Sequence, residues 1–204
     1  MAPTQQPEEP LAPHPDPPPD FASLPLPLVE SSGPWYRLNP VRYESALYFD
    51  RSGIGRFDGK EQGYSILYVG ADEYAAFIEC YGREHGARGV AELALIQRNL
   101  VRITSARPLI LADLTGSGLV KLGADSRIAS GSYLMARKWA QAIGQHPIQV
   151  DGLRYHSRHD DTRICCGLFD QTRTLLSEEN LGNLVEQHPA LLAQMLVHYD
   201  YGLL

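Results

Sequence analysis

The sequence predicts an α+β fold in which one domain is built on a single mixed β-sheet. Short runs of alternating or continuous apolar residues recur along the chain, separated by a few longer segments of helical spacing. The two kinds of segment do not alternate regularly, which argues against a doubly wound parallel sheet. With 204 residues, 44% of them hydrophobic, the chain is large and apolar enough for one buried core.

The first 33 residues differ from the rest in proline content and in charge. Eleven of the 15 prolines lie in residues 1–34, and residues 1–36 contain acidic side chains but no lysine or arginine. Because proline fixes φ and lacks an amide donor, we expect residues 1–33 to form an extended or disordered tail without helix or sheet ladders. The apolar end of this tail, residues 21–29, is a candidate for packing on the domain or on a partner. The folded domain is predicted to span residues 34–204.

The first half of the domain contains mainly short apolar runs. Five of them predict strands, at residues 35–38, 65–70, 90–96, 100–103 and 109–111. Residues 41–63 carry many glycines and charges and predict a loop. Asp72 is placed to cap a helix that has apolar residues at helical spacing through Tyr81.

The second half contains the strongest helical pattern. Residues 125–143 have apolar positions at helical spacing and predict the longest helix of the chain. Residues 150–155 and 162–169 predict two strands that frame a charged loop. Residues 181–185 and 189–199 predict two further helices.

Charge, cysteine content and hydropathy argue against several classes of protein. The net charge is −6, which gives no electrostatic basis for binding nucleic acid. The three cysteines have neither zinc-site spacing nor the even count of a disulfide framework, which favours a cytoplasmic protein. No run approaches the roughly 18 apolar residues of a membrane helix. The common motifs of NTPases, dehydrogenases, α/β-hydrolases and zinc proteases are absent from the sequence.

Two clusters of residues in the first half are candidates for chemistry. Arg37 follows an apolar Trp-Tyr pair, so its half-buried guanidinium would need a carboxylate or phosphate partner. Arg56 lies in a glycine-containing turn that would permit close approach of a ligand. Glu79 lies among apolar residues on the helix after the strand that contains Tyr68. Each of these residues also has an ordinary structural interpretation, as a partnered core residue or a surface side chain.

A third cluster, residues 151–160, places Ser157 between histidines and arginines. His156 and His159 lie three residues apart without a third ligand, so the spacing does not indicate a metal site. No strand–turn–helix elbow surrounds Ser157, so a hydrolase-type nucleophile is not indicated either. The roles of both histidines stay open.

In their order and spacing these clusters resemble the RES-domain family, which is named for an arginine, a glutamate and a serine. The resemblance covers about residues 35–175, and no single motif in it is specific. The sequence has Phe57 where many relatives have tryptophan, and Asp58 where the family usually has asparagine. The second change leaves the hydrogen bonding of the turn uncertain. The matching segments are Tyr36-Arg37, Gly55-Arg56-Phe57, Leu67-Tyr68, Ala76 to Glu79, Asp151 to Ser157 and Ile164 to Phe169.

The resemblance implies a fold like that of ADP-ribosyltransferases and an enzyme that acts on NAD+ as its substrate, without a metal. It implies catalytic roles for Arg37, Glu79 and Ser157. It also implies that NAD+ is bound by Arg37, Arg56, Tyr68 and Ser157. RES-domain proteins are toxins of toxin–antitoxin systems, so the expected partner is an antitoxin with a helix-turn-helix domain.

Three functions are compatible with this resemblance. The first is a toxin that depletes NAD+ by hydrolysis or phosphorolysis of the nicotinamide–ribose bond. The second is an ADP-ribosyltransferase that modifies one enzyme of nucleotide metabolism. The third is a binding module that has kept the fold without catalysis. The residues above do not decide whether water, phosphate or a protein side chain accepts the ADP-ribose.

Overall fold

An eight-stranded mixed sheet forms the centre of the computed structural model, which describes residues 13–59, 63–83 and 88–204. The strand order is β1-β6-β7-β8-β3-β2-β5-β9, and every neighbouring pair is antiparallel except β6 with β7. Two short strands, β4 and β10, form a separate parallel pair. The strands are β1 (Leu28–Ser31), β2 (Trp35–Pro40), β3 (Ile66–Gly70), β4 (Gly89–Val90), β5 (Arg98–Ser105), β6 (Leu109–Leu114), β7 (Gly152–His156), β8 (Ile164–Phe169), β9 (Leu176–Asn183) and β10 (Gly202–Leu203).

Six α-helices accompany these strands in the described part of the chain, and the arrangement confirms the predicted α+β class. None of these helices is both long and apolar enough to cross a bilayer. Short 3-10 helices lie at Phe21–Ser23 and Asp170–Leu175. The α-helices are α1 (Glu73–Tyr81), α2 (Glu92–Ile96), α3 (Gly116–Leu122), α4 (Arg127–Ser130), α5 (Tyr133–Gly144) and α6 (Pro189–Tyr199).

The core divides into three clusters because strand side chains alternate between the two faces of the sheet. On β3, Ile66 belongs to the cluster under α3 to α5, which contains Trp139. Its neighbour Leu67 belongs to the cluster on the reverse face, which contains Trp35. The third cluster joins β2 and β5 to α1, α2 and α6 around Phe77. The sheet centre is therefore covered on both faces.

Several elements form where local sequence signals are unambiguous. Asp72 caps α1, and its carboxylate accepts a hydrogen bond from the Ala75 amide at 2.7 Å. The helix predicted at residues 189–199 is confirmed, with Pro189 in its first turn. The strands predicted at residues 35–38, 65–70, 100–103, 109–111, 150–155 and 162–169 are confirmed with shifted ends. Residues 41–59 form the predicted loop, and residues 60–62 lie outside the described residues.

Three predicted elements are wrong. The helix predicted over residues 125–143 is divided into α4 and α5, because the backbone leaves the helical region at Gly131 and Ser132 caps a new helix. Residues 92–96 form α2 instead of a strand, since Glu-Leu-Ala-Leu-Ile consists of helix formers despite its alternation. The helix predicted over residues 181–185 does not form, because residues 181–183 belong to β9, where Asn183 pairs with Asn99 of β5, and residues 184–185 form a turn.

The described part of the N-terminal segment, residues 13–33, packs on the domain. The expectation that prolines exclude this whole segment from sheet ladders is wrong for β1, which contains no proline and pairs with β6. Residues 1–12 of the predicted tail lie outside the described residues. Phe21 is buried edge-on against Trp139 at 5.5 Å between ring centroids. The Trp139 indole also donates to the Pro15 carbonyl at 3.0 Å. The segment therefore contributes to the core.

Replacing Phe21 with alanine should lower the free energy of unfolding by about 3 kcal/mol, because it removes a buried ring and leaves a cavity beside Trp139. Urea denaturation measures the change. Leu24 is 36% exposed, and Leu24→Ala is the matched control, with an expected loss below about 1 kcal/mol. Equal losses in the two variants would show that the segment does not anchor at Phe21.

Candidate functional site

Glu79 and Ser157 lie in direct contact although 78 positions separate them. Glu79 lies in the last turn of α1, and Ser157 follows β7 immediately. The Ser157 hydroxyl donates to Glu79 Oε1 at 2.5 Å, and Ser157 is 2% exposed. The same hydroxyl oxygen accepts the amide of His159 at 3.1 Å. Because its proton points at Glu79, Ser157 holds a carboxylate in place and is not arranged as a histidine-activated nucleophile.

Tyr68 links β3 to the Gly-Arg-Phe turn. Its hydroxyl donates to Asp58 Oδ1 at 2.7 Å and accepts the Phe57 amide at 2.9 Å. Burial, together with the carboxylate of Asp58, raises the pKa of Tyr68 well above its usual value of 10.0. The phenol is therefore neutral at physiological pH and fixes the turn by both of its hydrogen bonds.

Asp58, which stands where the family usually has asparagine, forms the central hydrogen bonds of the turn. The side chain is buried, and it accepts the Gly55 amide at 2.7 Å in addition to the Tyr68 hydroxyl. Ser52 Oγ lies 3.4 Å from its second oxygen. The Gly55 amide and the Tyr68 hydroxyl both donate, so a carboxylate satisfies them by acceptance alone. Asp58 is the centre of this turn, a role that the sequence did not reveal.

Arg56 extends from this turn into the protein. Its Nη1 donates to the Gly131 carbonyl at 2.8 Å, and its guanidinium carbon lies 4.4 Å from the centre of the Tyr133 ring. Its Nη2 is buried without a hydrogen-bond partner among the described residues. Burial lowers the pKa of Arg56, and the negative charge of Glu79 opposes this effect. A buried guanidinium with an unused donor is suited to a phosphate or another anion.

Arg37 lies on β2, half-buried beside β3. Its Nη1 donates to the Tyr68 carbonyl at 3.3 Å, a long hydrogen bond. Burial lowers the pKa of Arg37, and the charge of Arg98 acts in the same direction. The hydrogen bonds of the described residues do not join Arg37 to Glu79 or Ser157. Among the described residues the guanidinium makes one hydrogen bond, to the Tyr68 carbonyl, so most of its donors are available to a ligand.

The structure arranges the predicted site residues in two groups. Glu79 contacts Ser157 in one group. In the other, Arg37 contacts the backbone of Tyr68, and the hydroxyl of Tyr68 holds the turn that carries Arg56. The hydrogen bonds of the described residues do not join the two groups. Sequence reasoning missed Tyr133, because it looked like one apolar position within a longer helix.

The two histidines of the third cluster do not join a metal site in the described residues, which contain no group of three or more potential metal ligands. His156 ends β7, where strand alternation directs its side chain away from the face of Tyr155. Its Nδ1 is buried and has no partner among the residues that the structure describes.

Replacing Gly55 with alanine should destabilise the turn by about 1–3 kcal/mol, because a Cβ there would lie 2.7 Å from the Tyr68 hydroxyl and would also collide with the Asp58 carboxylate. Thermal unfolding measures the effect. Gly202→Ala is the control, since among the described residues a Cβ there meets the Arg88 carbonyl alone, at an ordinary 3.5 Å. A Gly55→Ala protein as stable as the control would contradict the close packing of the turn.

Comparisons with known proteins give two positive findings. The family model described as the RES domain matches residues 34–190. Among solved structures, the chain is similar to a chain of the crystal structure of the M. tuberculosis MbcT-MbcA toxin-antitoxin complex, with a TM-score of 0.60 and 16% sequence identity. The match covers 83% of this chain and 92% of that chain. No curated protein matches the sequence significantly. At this identity the structural likeness concerns the fold.

Proposed function

The chain belongs to the RES-domain family, and on that premise we propose that it cleaves the nicotinamide–ribose bond of NAD+ as the toxin of a toxin–antitoxin pair. The observation that carries the proposal is the 2.5 Å contact between Ser157 and Glu79. It fixes a carboxylate whose charge acts on the guanidinium of Arg56, and Arg56 has a donor without a partner among the described residues. A fixed anion and a free cationic donor suit a substrate that is cationic at its reacting ring and anionic at its pyrophosphate.

The chemistry requires stabilisation of positive charge at the anomeric carbon. As the C–N bond breaks, its electron pair neutralises the pyridinium nitrogen and nicotinamide leaves without needing a proton. The ribose then resembles an oxocarbenium ion, as in glycoside cleavage. Glu79, oriented by Ser157, stabilises that charge and binds ribose hydroxyls. Water or phosphate adds to the anomeric carbon, and the attacking oxygen loses its proton to solvent.

The remaining site residues bind and orient the substrate. Arg37 and Arg56 have donors that match the oxygens of a pyrophosphate. The Tyr68 hydroxyl is already engaged by Asp58 and Phe57, so its contribution to nicotinamide is the ring face and not a hydrogen bond. No step in this scheme requires a metal.

The partner we propose is an antitoxin with a helix-turn-helix domain, and the proposed compartment is the cytoplasm. The support is family membership together with a fold like that of a chain in the MbcT-MbcA toxin-antitoxin complex. We assign residues 34–204 to the RES domain and residues 1–33 to an N-terminal extension. The described part of that extension, residues 13–33, packs on the domain.

A labelling experiment tests the function and identifies the acceptor. Purified protein is incubated with NAD+ labelled in the adenylate phosphate, in buffer and in a bacterial lysate, and the products are separated. Loss of NAD+ in buffer to labelled small molecules supports NAD+ degradation. Loss that needs the lysate and leaves label on one protein band would instead indicate a target-specific ADP-ribosyltransferase. No loss under either condition would leave a binding module without catalysis.

A further inference from the structure

One side chain, that of Arg163, ties the loop of Ser157 to the helix of Glu79. Its Nη1 donates to Asp72 Oδ2 at 2.9 Å, and its Nε donates to Asp160 Oδ2 at 3.3 Å. Asp72 is the residue whose other oxygen caps α1. Asp160 belongs to the loop that follows Ser157. The planar guanidinium of Arg163 therefore joins the start of α1 to the middle of the loop that follows Ser157.

The backbone of Arg163 holds Ser157 as well. The Ser157 amide donates to the Arg163 carbonyl at 2.9 Å, and the Arg163 amide donates to the Asp160 carbonyl at 3.0 Å. The Asp160 amide in turn lies 3.4 Å from Ser157 Oγ. These bonds close a compact loop whose first residue is Ser157 and whose last is Arg163.

From this double attachment we propose that Arg163 is the positioning residue that sets the contact between Glu79 and Ser157. Its catalytic consequence rests on the proposed function. Arg163 lies against the Tyr74 ring at 4.7 Å, with both carboxylates in place, so its guanidinium is occupied by the protein and not directed to substrate. The fork geometry matters because each nitrogen must reach a different element, which an ammonium cannot reproduce.

The C-terminal helix supports this arrangement from outside. On α6 the Tyr199 hydroxyl donates to Asp160 Oδ2 at 3.0 Å, beside the bond from Arg163. Tyr199 lies beyond residues 34–190, the part of the chain that the family model matches. The outer support of the loop thus comes from a residue beyond the part of the chain that the family model matches.

The test compares Arg163→Met, Arg163→Lys and Tyr199→Phe by amide hydrogen exchange and by the kinetics of NAD+ loss. In Arg163→Met, the amides of residues 157–163 should exchange more than about tenfold faster. Its kcat should fall about 10- to 100-fold with KM unchanged, since a misplaced pair slows the chemical step without removing a substrate contact. Arg163→Lys should not restore kcat. Tyr199→Phe should shift exchange in the same direction by a smaller factor.

The control is Arg107→Met, which breaks a comparable two-point ion pair to Asp151, at 2.7 and 2.9 Å. It should leave exchange at residues 157–163 and kcat unchanged. Unchanged exchange in Arg163→Met would overturn the proposal, and so would faster exchange with wild-type kcat. If wild-type protein does not consume NAD+, the proposed function fails. The exchange measurement still decides whether Arg163 orders the Ser157 loop.

Discussion

Glu79→Gln protein is expected to cleave NAD+ with a kcat about 100- to 1000-fold below wild type, with little change in KM. Glutamine has nearly the same shape and can still accept the hydrogen bond from Ser157. Glutamine lacks the negative charge by which Glu79 stabilises the positive charge at the anomeric carbon. Because the loss concerns charge in the transition state, it should appear in kcat. Initial rates of NAD+ loss over a range of substrate concentrations measure both parameters.

Glu92→Gln is the matched control for this substitution. Glu92 is exposed at the start of α2, so its change of charge should leave kcat at the wild-type value. Circular dichroism checks that both variants are folded. In cells, Glu79→Ala should abolish growth inhibition while the protein accumulates as the wild type does. A Glu79→Ala protein that stays fully toxic would contradict the mechanism.

Arg37→Ala is expected to raise KM for NAD+ about 10- to 100-fold, because hydrogen bonds to charged groups contribute about 1.5–3 kcal/mol each. The guanidinium makes one long bond to the Tyr68 carbonyl and has donors to spare. Burial lowers the pKa of Arg37, which means that the folded protein disfavours the charged guanidinium at this position. Removing the side chain should therefore leave the fold intact. Growth inhibition should be lost with it.

The control for Arg37→Ala is Arg102→Ala, which removes an equal charge from the neighbouring strand β5. Arg102 is on the surface and pairs with Glu179, so KM should not change. Isothermal titration with a non-hydrolysable NAD+ analogue separates binding from turnover. Wild-type affinity in the Arg37→Ala protein would remove Arg37 from the binding site.

Local patterns predicted the elements whose signals lie close together in sequence. The cap at Asp72 and the proline at the start of α6 are examples, because each acts within one helical turn. The pairing of Asn183 with Asn99 of β5 could not be predicted in this way. It depends on an open sheet edge supplied by residues about 80 positions earlier.

The resemblance selected Arg37, Glu79 and Ser157 as candidate site residues, but no pattern in the sequence showed which of them would be in contact. The contact between Glu79 and Ser157 follows from the placement of β7 beside β8, which in turn pairs with β3, and no local pattern encodes this order. Arg56 is likewise held by the Gly131 carbonyl, at a break within a stretch that reads as one continuous helix.

The structure of the N-terminal segment could also be predicted only in part from its sequence. Its prolines predicted an absence of regular structure, and its apolar end indicated packing without revealing the surface. The four residues of β1 form a strand because the edge of β6 is free to accept them. Phe21 is buried because α5 presents Trp139 beside it.

The products of the reaction show which bond of NAD+ the protein breaks. Purified protein is incubated with NAD+ in buffer with and without phosphate, and the products are quantified by chromatography and mass spectrometry. We expect one nicotinamide for each NAD+ lost, together with ADP-ribose or its phosphorylated form, and almost none with Glu79→Gln. Release of nicotinamide mononucleotide and AMP, or nicotinamide at the same rate from Glu79→Gln, would contradict it.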